Sequence, residues 1–329
     1  MKRLAVAYAT DDNYVKIAAV SMASLLRSHE RGTVTIYCLS SGLTGASVEL
    51  LEKVASRYGV GVRFIDVERC LKEVEANGGN KYFSYAAYAR FYIAELIKDE
   101  SRVVYLDCDT LIVDSLYELM TMDMGGKPFA LAYDCLRTEY KRMIGLEPTQ
   151  PYYNSGVMVI DVDKWRECRC LERIMDHMKK PHKKYLFPDQ EYLALVLGDE
   201  AQILSPRYNF LPHYMLFPSR KSVLRVMGIH PAAWWKQEEF DRDIKKPAIY
   251  HFLGNTLGRP WYRESRSPMR KVYCEMAAEI GLETLTKSSR PLDIGYKVQA
   301  LLWKLLPQPL FDLSCKAMYR YFFWSRYNV

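Results

Sequence analysis

Short apolar runs alternate with amphipathic stretches through the first hundred residues. The apolar runs predict buried strands at residues 4–9, 34–39 and 62–67. Between them, apolar positions that recur every three or four residues predict helices at 14–27 and 46–58. Strands that alternate with helices form βαβ units. The pattern therefore predicts an α/β fold with a Rossmann-like, mostly parallel central sheet flanked by helices.

A fourth predicted strand ends in two acidic residues. After a helix predicted from Ser84 to Lys98, the apolar run 102–106 is followed directly by Asp107 and Asp109. In open α/β sheets, ligands bind outside the carboxyl ends of the strands. Two acids at this point are therefore candidates for a functional site, although acids at strand ends are also common in places that have no functional role.

The rest of the chain has a less regular pattern. The predicted elements are a loop leading into a strand (152–162), a helix (187–197), loops with short strands (209–247), a strand (248–252) and a helix (268–280). We expect residues 1–284 to form a catalytic domain and residues 285–329 to form a separate tail.

Composition and charge narrow the possible partners. Apolar residues make up 49% of the chain and charged residues 26%, which is typical of a folded protein with a large core. The formal net charge is +7, but residues 286–329 alone carry seven basic side chains against two acidic ones. The remainder is close to neutral, so we expect no nucleic-acid partner, whereas the tail is expected to meet an anionic partner.

The eight cysteines favour a reducing compartment. None lies in a Cys-x-x-Cys pair, so neither a zinc ribbon nor a thioredoxin-like motif is expected. The N-terminal apolar run is too short for a signal peptide, and no stretch of about 18 uncharged apolar residues is present to span a membrane. We therefore expect a cytoplasmic protein.

The two acids after the fourth strand are suited to a divalent metal. Asp107 and Asp109 are two residues apart, and at a bent strand end both carboxylates can reach one hard cation. Carboxylate oxygens suit Mg²⁺ or Mn²⁺, and an added imidazole shifts the preference toward Mn²⁺. His251 is the candidate third ligand. Its alternative is a buried histidine with satisfied hydrogen bonds.

Five motifs follow one another along the chain. They are Asp-Asp-Asn-Tyr at 11–14, Tyr-Ala-Arg at 88–90 before Asp-Cys-Asp at 107–109, Tyr-Asn-Ser-Gly-Val at 153–157, Asp-Gln-Glu at 189–191, and His-Phe-Leu-Gly at 251–254 with Arg-Pro-Trp at 259–261. In order and spacing they resemble glycosyltransferase family 8, and most of all its bacterial lipooligosaccharide galactosyltransferase branch. The resemblance covers roughly residues 3 to 280.

The resemblance implies a GT-A fold, a divalent metal that is usually Mn²⁺, a UDP-sugar donor, and transfer with retention of anomeric configuration. It places the metal on Asp107, Asp109 and His251. Around the donor it implies Asp11, Asn13 and Tyr14 at the uridine, Arg90 at the sugar or diphosphate, Gly254 and Arg259 at the diphosphate, and Asn154, Ser155, Asp189 and Gln190 at the sugar. Asp134 matches an acceptor-side acid. Alternatives stay open for Asp11 as a helix N-cap, Arg90 as a helix-surface ion pair and Asp134 as a turn residue.

Two positions depart from the family pattern. The loop between Gly254 and Arg259 is two residues longer than usual, which affects the placement of Arg259. Ser155 stands where alanine is frequent and adds a hydroxyl near the sugar or the acceptor. The position of a possible nucleophile is held by Gln190. An amide is a poor nucleophile, so the resemblance favours a front-face route assisted by the leaving phosphate.

The tail interleaves lysine and arginine with aromatic and aliphatic side chains. This chemistry is typical of an interfacial anchor, with rings at the lipid headgroups and basic residues on anionic lipids. It would hold the protein peripherally on the inner face of the cell membrane. The alternatives are a helix folded back onto the catalytic domain, or a dimer contact. Pro307 and Pro309 predict two separate helical pieces.

These observations favour a metal-dependent, retaining transferase that moves galactose or glucose from UDP to a saccharide or lipid-linked glycan in lipopolysaccharide or surface polysaccharide synthesis. The rivals are a UDP-sugar hydrolase, a nucleotidyltransferase, and a non-catalytic UDP-sugar-binding protein on the same fold. A nucleotidyltransferase is expected to carry a glycine-rich basic loop after the first strand, which residues 10–13 lack. A degenerate site has no chemical reason to keep its metal ligands.

Overall fold

The computed structural model describes residues 3–79, 85–180, 185–254, 256–291 and 293–327. The chain forms two compact units. The first unit consists of Met1–Ala132 and Tyr153–Leu204, and the second consists of Tyr133–Tyr152 and Ser205–Val329.

Strands and helices alternate through the first unit, and helices predominate in the second. The strands are β1 (Leu4–Ala9), β2 (Val34–Ser40), β3 (Val62–Asp66), β4 (Arg102–Leu106), β5 (Thr110–Ile112), β6 (Phe129–Tyr133), β7 (Tyr153–Asp161), β8 (Ala201–Ile203) and β9 (Ile249–His251). The α-helices are α1 (Val15–Arg27), α2 (Gly45–Ser56), α3 (Glu68–Ala76), α4 (Ile93–Leu96), α5 (Tyr117–Thr121), α6 (Thr138–Ile144), α7 (Val162–Glu167), α8 (Cys170–Met178), α9 (Pro188–Leu197), α10 (Pro212–Leu216), α11 (Arg220–Met227), α12 (Gln237–Asp243), α13 (Arg270–Glu279), α14 (Ile294–Leu305) and α15 (Gln308–Tyr327).

One sheet has the strand order β3-β2-β1-β4-β7-β6-β8. β1 pairs in parallel with β2 and with β4, whereas β4 pairs with β7 in the antiparallel sense. Every residue of β1 is buried, as is typical of a strand that is covered on both faces. The predicted α/β fold with a mostly parallel central sheet is confirmed.

Two sequence predictions in the first unit are wrong in detail. The helix predicted up to residue 98 is instead a 3₁₀ helix (Tyr85–Tyr92) that leads into the short α4, and Ser84 lies outside the described residues. The segment predicted as a loop leading into a strand belongs to β7 from Tyr153 onward. In addition, α3 was not predicted, and Val74 is its one buried residue.

The prediction of loops and short strands for residues 209–247 is also wrong. The structure forms helices α10, α11 and α12 there. Pro212 stands in the first turn of α10, where the missing N–H of proline costs nothing. Proline in this segment therefore marks the start of a helix rather than a break.

The tail forms two helices, as the prolines predict: α14 ends at Leu305 and α15 begins at Gln308. Within the second unit, α15 packs against α11 and the residues before it. Phe311 stacks on Phe217 with ring centroids 5.6 Å apart, and the Ser222 hydroxyl donates a hydrogen bond to Asp312 Oδ2 at 2.5 Å. In the described part of the chain, no helix combines the length and apolar content needed to cross a membrane.

Candidate active site

The acidic end of β4 lies beside the Asn-Ser-Gly motif of β7. Their antiparallel pairing continues past Leu106, where the backbone N–H of Asp107 donates to the Gly156 carbonyl at 2.8 Å. Tyr105 precedes Asp107 by two residues, and its hydroxyl donates to Asp107 Oδ1 at 2.7 Å. Sequence reasoning missed Tyr105. The two-residue spacing, which puts strand side chains on the same face, was the signal that could have found it.

Arg90 is the buried centre of this region, with 3% of its surface exposed. Its Nε donates to the Ala87 carbonyl at 2.7 Å, and its Nη1 donates to the Ser155 carbonyl at 2.6 Å. Nη2 donates to Asp107 Oδ1 at 3.0 Å, and Nη1 lies 3.2 Å from Asp189 Oδ2. One planar guanidinium therefore holds the acid after β4 and the acid in the first turn of α9. We call Arg90, Asp107, Ser155 and Asp189 the Arg90 cluster.

The charge of Arg90 is stable in this position. Burial acts to lower the pKa of Arg90, but the carboxylates of Asp107 and Asp189 outweigh burial and hold the pKa above its ordinary value. The guanidinium carbon also lies 4.6 Å from the centroid of the Tyr105 ring, within the range of a cation–π contact. Arg90 is thus an internal counterion and not the helix-surface ion pair that was the alternative.

Asp189 is a buried acid, and its surroundings have opposing effects on its pKa. Burial raises its pKa, whereas Arg90 and a hydrogen bond from the Ser155 hydroxyl act to lower it. That hydroxyl lies 2.5 Å from Asp189 Oδ2. Asp189 also stands in the first turn of α9, where the helix dipole favours negative charge.

Gln190 is held by its oxygen. Oε1 accepts from Asn154 Nδ2 at 3.0 Å and from the backbone N–H of Ser155 at 3.2 Å. Because a backbone N–H can only donate, the atom facing it must be the amide oxygen. The oxygen that would have to act as a nucleophile is therefore engaged by two protein donors. This geometry agrees with the weak nucleophilicity expected of an amide.

The loop after β1 contains the three residues expected at the uridine. Asp11 Oδ1 accepts from the backbone N–H groups of Asn13 at 2.9 Å and Tyr14 at 3.0 Å, so Asp11 shapes the turn that starts α1. Tyr14 is 38% exposed, which leaves its ring accessible for stacking. Asp12 Oδ1 accepts hydrogen bonds from the backbone N–H of Thr44 and the hydroxyl of Ser47, at the start of α2.

In the second unit, His251 ends β9 and is 3% exposed. Its Nδ1 lies 2.9 Å from Asn209 Oδ1. This is the geometry of an imidazole that carries its proton on Nδ1 and its lone pair on Nε2, as a metal ligand requires. Asn209 was not among the predicted site residues, and its spacing from His251 in the sequence carries no signal that could have found it.

The loop after His251 requires glycine for its backbone. Gly254 has φ 67° and Gly258 has φ 71°, both in the left-handed region. Among the described residues, the chain neighbours of Gly254 apart, no heavy atom lies within 4 Å of the place where its Cβ would stand, so conformation and not crowding explains this glycine. Arg259 lies over the ring of Trp261, with its guanidinium carbon 5.3 Å from the centroid. Asn255, in the longer part of the loop, lies outside the described residues.

Asp134 has a buried neighbour that the sequence did not reveal. Asp134 Oδ1 accepts from the backbone N–H of Cys135 at 2.6 Å, which is the turn role that was its alternative. His213, also of the second unit, is buried, and its Nδ1 has no hydrogen-bond partner among the residues that the structure describes. Burial lowers the pKa of His213, and the charge of Asp134 acts in the opposite direction. An imidazole beside an acid is a group able to exchange a proton with a ligand.

The chain is similar to known proteins along most of its length. Residues 5–265 match the family model for glycosyl transferase family 8. General stress protein A of Bacillus subtilis is 28% identical over 268 residues, which are 80% of this chain and 89% of that protein. Lipopolysaccharide 1,3-galactosyltransferase of Salmonella typhimurium is 26% identical over 282 residues, 82% of this chain and 76% of that protein.

The fold has a solved counterpart. The crystal structure of the galactosyltransferase LgtC, in complex with donor and acceptor sugar analogs, matches with a TM-score of 0.69 at 23% identity. The match covers 84% of this chain and 96% of that one. It confirms the expected GT-A fold.

Proposed function

The chain belongs to glycosyltransferase family 8, and from that premise we propose that it transfers a hexose, galactose or glucose, from UDP to a saccharide or lipid-linked glycan in lipopolysaccharide or surface polysaccharide synthesis. The observation that carries the proposal is the Arg90 cluster, in which one buried cation joins Asp107 to Asp189. Negative charge held in place at the carboxyl end of a strand suits a metal on one side and sugar hydroxyls on the other.

We assign a divalent metal, Mn²⁺ or Mg²⁺, to Asp107, Asp109 and His251. Two carboxylates and one imidazole are a donor set that suits these ions. Arg90 and Tyr105 hold Asp107 Oδ1 in place, and Asn209 holds the His251 tautomer. A metal bound there would supply Lewis-acid chemistry at the departing UDP.

We assign the remaining donor contacts to two loops. Asp11, Asn13 and Tyr14 follow β1 and would receive the uridine, with the accessible ring of Tyr14 available to stack. Gly254 and Arg259 follow β9 and would meet the diphosphate. A guanidinium can bind phosphate oxygens with two parallel hydrogen bonds, where a lysine acts as a point charge.

The donor sugar would lie against Asn154, Ser155 and Asp189, with Gln190 at its reacting face. Arg90 would act mainly by holding the residues that contact the sugar, because the protein already engages its Nε, Nη1 and Nη2. Since Gln190 Oε1 is engaged too, we favour retention by a front-face route. Asp134 would stand on the acceptor side.

UDP release by the purified protein tests the proposal. UDP-galactose, UDP-glucose and other UDP-hexoses are each supplied with Mn²⁺, with Mg²⁺ or with chelator. Asp109→Ala should reduce release at least about 100-fold. Asp163→Ala, which removes a carboxylate that is 82% exposed, should leave it unchanged. If no donor is bound or cleaved with any metal, the active-enzyme proposal fails.

The same assay separates the rivals. A transferase should release UDP faster when a saccharide acceptor is added, and a new glycoside should accumulate. A hydrolase would give the same rate with and without acceptor. A non-catalytic binding protein would bind the donor without releasing UDP.

We further propose that the tail attaches the protein to an anionic membrane at its inner face. Ile294, Val298, Leu301 and Leu305 are between 42% and 79% exposed and recur every three or four residues of α14, so they form one apolar stripe. Lys297 and Lys304 lie on the same helix. Exposed apolar side chains beside lysines suit an interface with anionic lipid.

Vesicle co-sedimentation tests this attachment. The protein should bind vesicles that contain phosphatidylglycerol and should bind pure phosphatidylcholine weakly. The double change Leu301→Ser with Leu305→Ser should abolish sedimentation, whereas Val272→Ser, at an exposed valine of α13, should not. Equal binding by wild type and the double variant would contradict the proposal.

A further inference from the structure

Ser155 is bonded to three different groups around the proposed sugar site. Its backbone N–H donates to Gln190 Oε1 at 3.2 Å, and its carbonyl accepts from Arg90 Nη1 at 2.6 Å. Its hydroxyl donates to Asp189 Oδ2 at 2.5 Å, the shortest side-chain hydrogen bond of the Arg90 cluster. Ser155 and Asp189 are each 3% exposed. The side chain of Ser155 is therefore fixed by its surroundings.

The chemistry of a hydroxyl sets what Ser155 can recognise. A serine hydroxyl has one proton to donate and two lone pairs that accept, whereas an ionised carboxylate only accepts. Because the proton of Ser155 is committed to Asp189, its oxygen can meet a ligand only as an acceptor. Ser155 and Asp189 together therefore present acceptors to a ligand, and they suit a group that donates, such as a sugar hydroxyl.

The bond also fixes the orientation of Asp189. Oδ2 faces both the Ser155 hydroxyl and Arg90 Nη1, which lies at 3.2 Å. Two donors on one oxygen prevent the carboxylate from rotating to exchange its oxygens. Within the described part of the chain, an alanine at position 155 would leave Arg90 as the one side-chain donor that faces Asp189 Oδ2, and Asp189 could then rotate.

We propose that Ser155 is a positioning residue that holds Asp189 toward one hydroxyl of the donor hexose, and so sets which UDP-hexose is preferred. The inference rests on the proposed function. It assigns to Ser155 a role in recognising the sugar and none in binding UDP itself. A role limited to the stability of the fold would change the affinity for both ligands equally or for neither.

Calorimetric titration with UDP and with the preferred UDP-hexose, both in Mn²⁺, separates these roles. Ser155→Ala should weaken UDP-hexose binding about 10-fold, because a hydrogen bond to a charged group is lost, and should leave UDP binding unchanged. Ser155→Thr keeps the hydroxyl and should retain most of the preference. Ser24→Ala removes another buried hydroxyl of the first unit, one that accepts from the Ile112 N–H, and should leave the ratio of the two affinities unchanged.

Deoxy donors identify the hydroxyl. UDP-hexoses lacking the 3-, 4- or 6-hydroxyl are titrated against wild type and Ser155→Ala. At one position, removal of the hydroxyl should weaken donor binding to wild type about 10-fold. It should weaken donor binding to the variant little further, because the serine and the sugar hydroxyl contribute to the same interaction. If Ser155→Ala does not fold, Ser155→Cys, which keeps the volume and donates weakly, takes its place.

Each outcome decides the proposal. Equal weakening of UDP and UDP-hexose, unchanged affinity for both, or additive losses with every deoxy donor would overturn it. If wild type binds UDP but no UDP-hexose, the proposed hexose transfer fails, and the role of Ser155 fails with it.

Discussion

Arg90 in the first unit and Lys141 in the second are both buried cations, but they have different partners. Arg90 is 3% exposed and faces the carboxylates of Asp107 and Asp189. Lys141 is 2% exposed, and its Nζ donates to two backbone carbonyls, those of Pro148 at 2.8 Å and of Gln150. The pKa of Arg90 is held above its ordinary value, whereas burial lowers the pKa of Lys141 to about 8.

The difference shows what each charge is for. A buried charge is costly unless opposite charge and hydrogen bonds offset the loss of water. Carboxylates offset the cost for Arg90, which in turn pairs with two acids at the proposed site. Carbonyl dipoles offset the cost of burial less for Lys141, whose hydrogen bonds to two carbonyls stabilise the loop after α6. We therefore expect the first cation to serve ligand binding and the second to serve the fold.

The largest effect is expected when Arg90 is removed. Arg90→Ala leaves two buried carboxylates without their counterion, so the free energy of unfolding should fall by about 3–5 kcal/mol, and UDP release should be lost. Arg90→Lys keeps the charge without the planar guanidinium. Its stability and its UDP release should lie between those of wild type and Arg90→Ala. Urea unfolding and the release assay measure this. A stable, active Arg90→Ala protein would contradict the role assigned to Arg90.

Removal of Lys141 should affect the fold alone. Lys141→Met keeps the aliphatic stem and takes the donor away from two carbonyls, which should lower the free energy of unfolding at pH 7 by about 1–3 kcal/mol. The KM for the donor should be unchanged. Lys271→Met, at a lysine side chain that is 87% exposed, is the control and should unfold at the wild-type urea concentration. A raised donor KM in Lys141→Met would give Lys141 a role in binding as well.

The two cations should also differ in their response to pH. The folded-state pKa of Lys141 is about 8 and its ordinary value is 10.5. Between these values the unfolded chain binds more protons at this lysine than the folded chain does, so Lys141 adds stability as pH rises. The stability of wild type relative to Lys141→Met should therefore increase from pH 8 to pH 10. A difference that stays constant across this range would show that the lysine titrates normally.

The smallest effect is expected at an ion pair that is partly open to water. Arg173 contacts both oxygens of Glu200, at 2.6 and 3.0 Å, but its side chain is 39% exposed. Arg173→Ala should lower the free energy of unfolding by about 0.5 kcal/mol and leave donor binding unchanged. A loss as large as that of Arg90→Ala would show that burial is not what separates these pairs.

The sequence by itself was sufficient for the elements whose signal is local. β1, β2 and α1 agree with their predicted boundaries to within one residue, because the apolar period of a strand or helix can be read from a few neighbouring positions. The same holds for Asp107 and Asp109, whose place directly after an apolar run put them at the end of β4. The five ordered motifs were likewise sufficient for the family.

Only the tertiary structure decided the surroundings of these residues. Arg90 and Ser155 are 65 positions apart, and no spacing in the sequence announces that they meet or that Arg90 is buried. The helices of residues 209–247, the Asn209 partner of His251 and the burial of Lys141 were hidden for the same reason. Periodicity records which face of an element is apolar, whereas the partners of a buried charge depend on long-range packing that brings distant segments together.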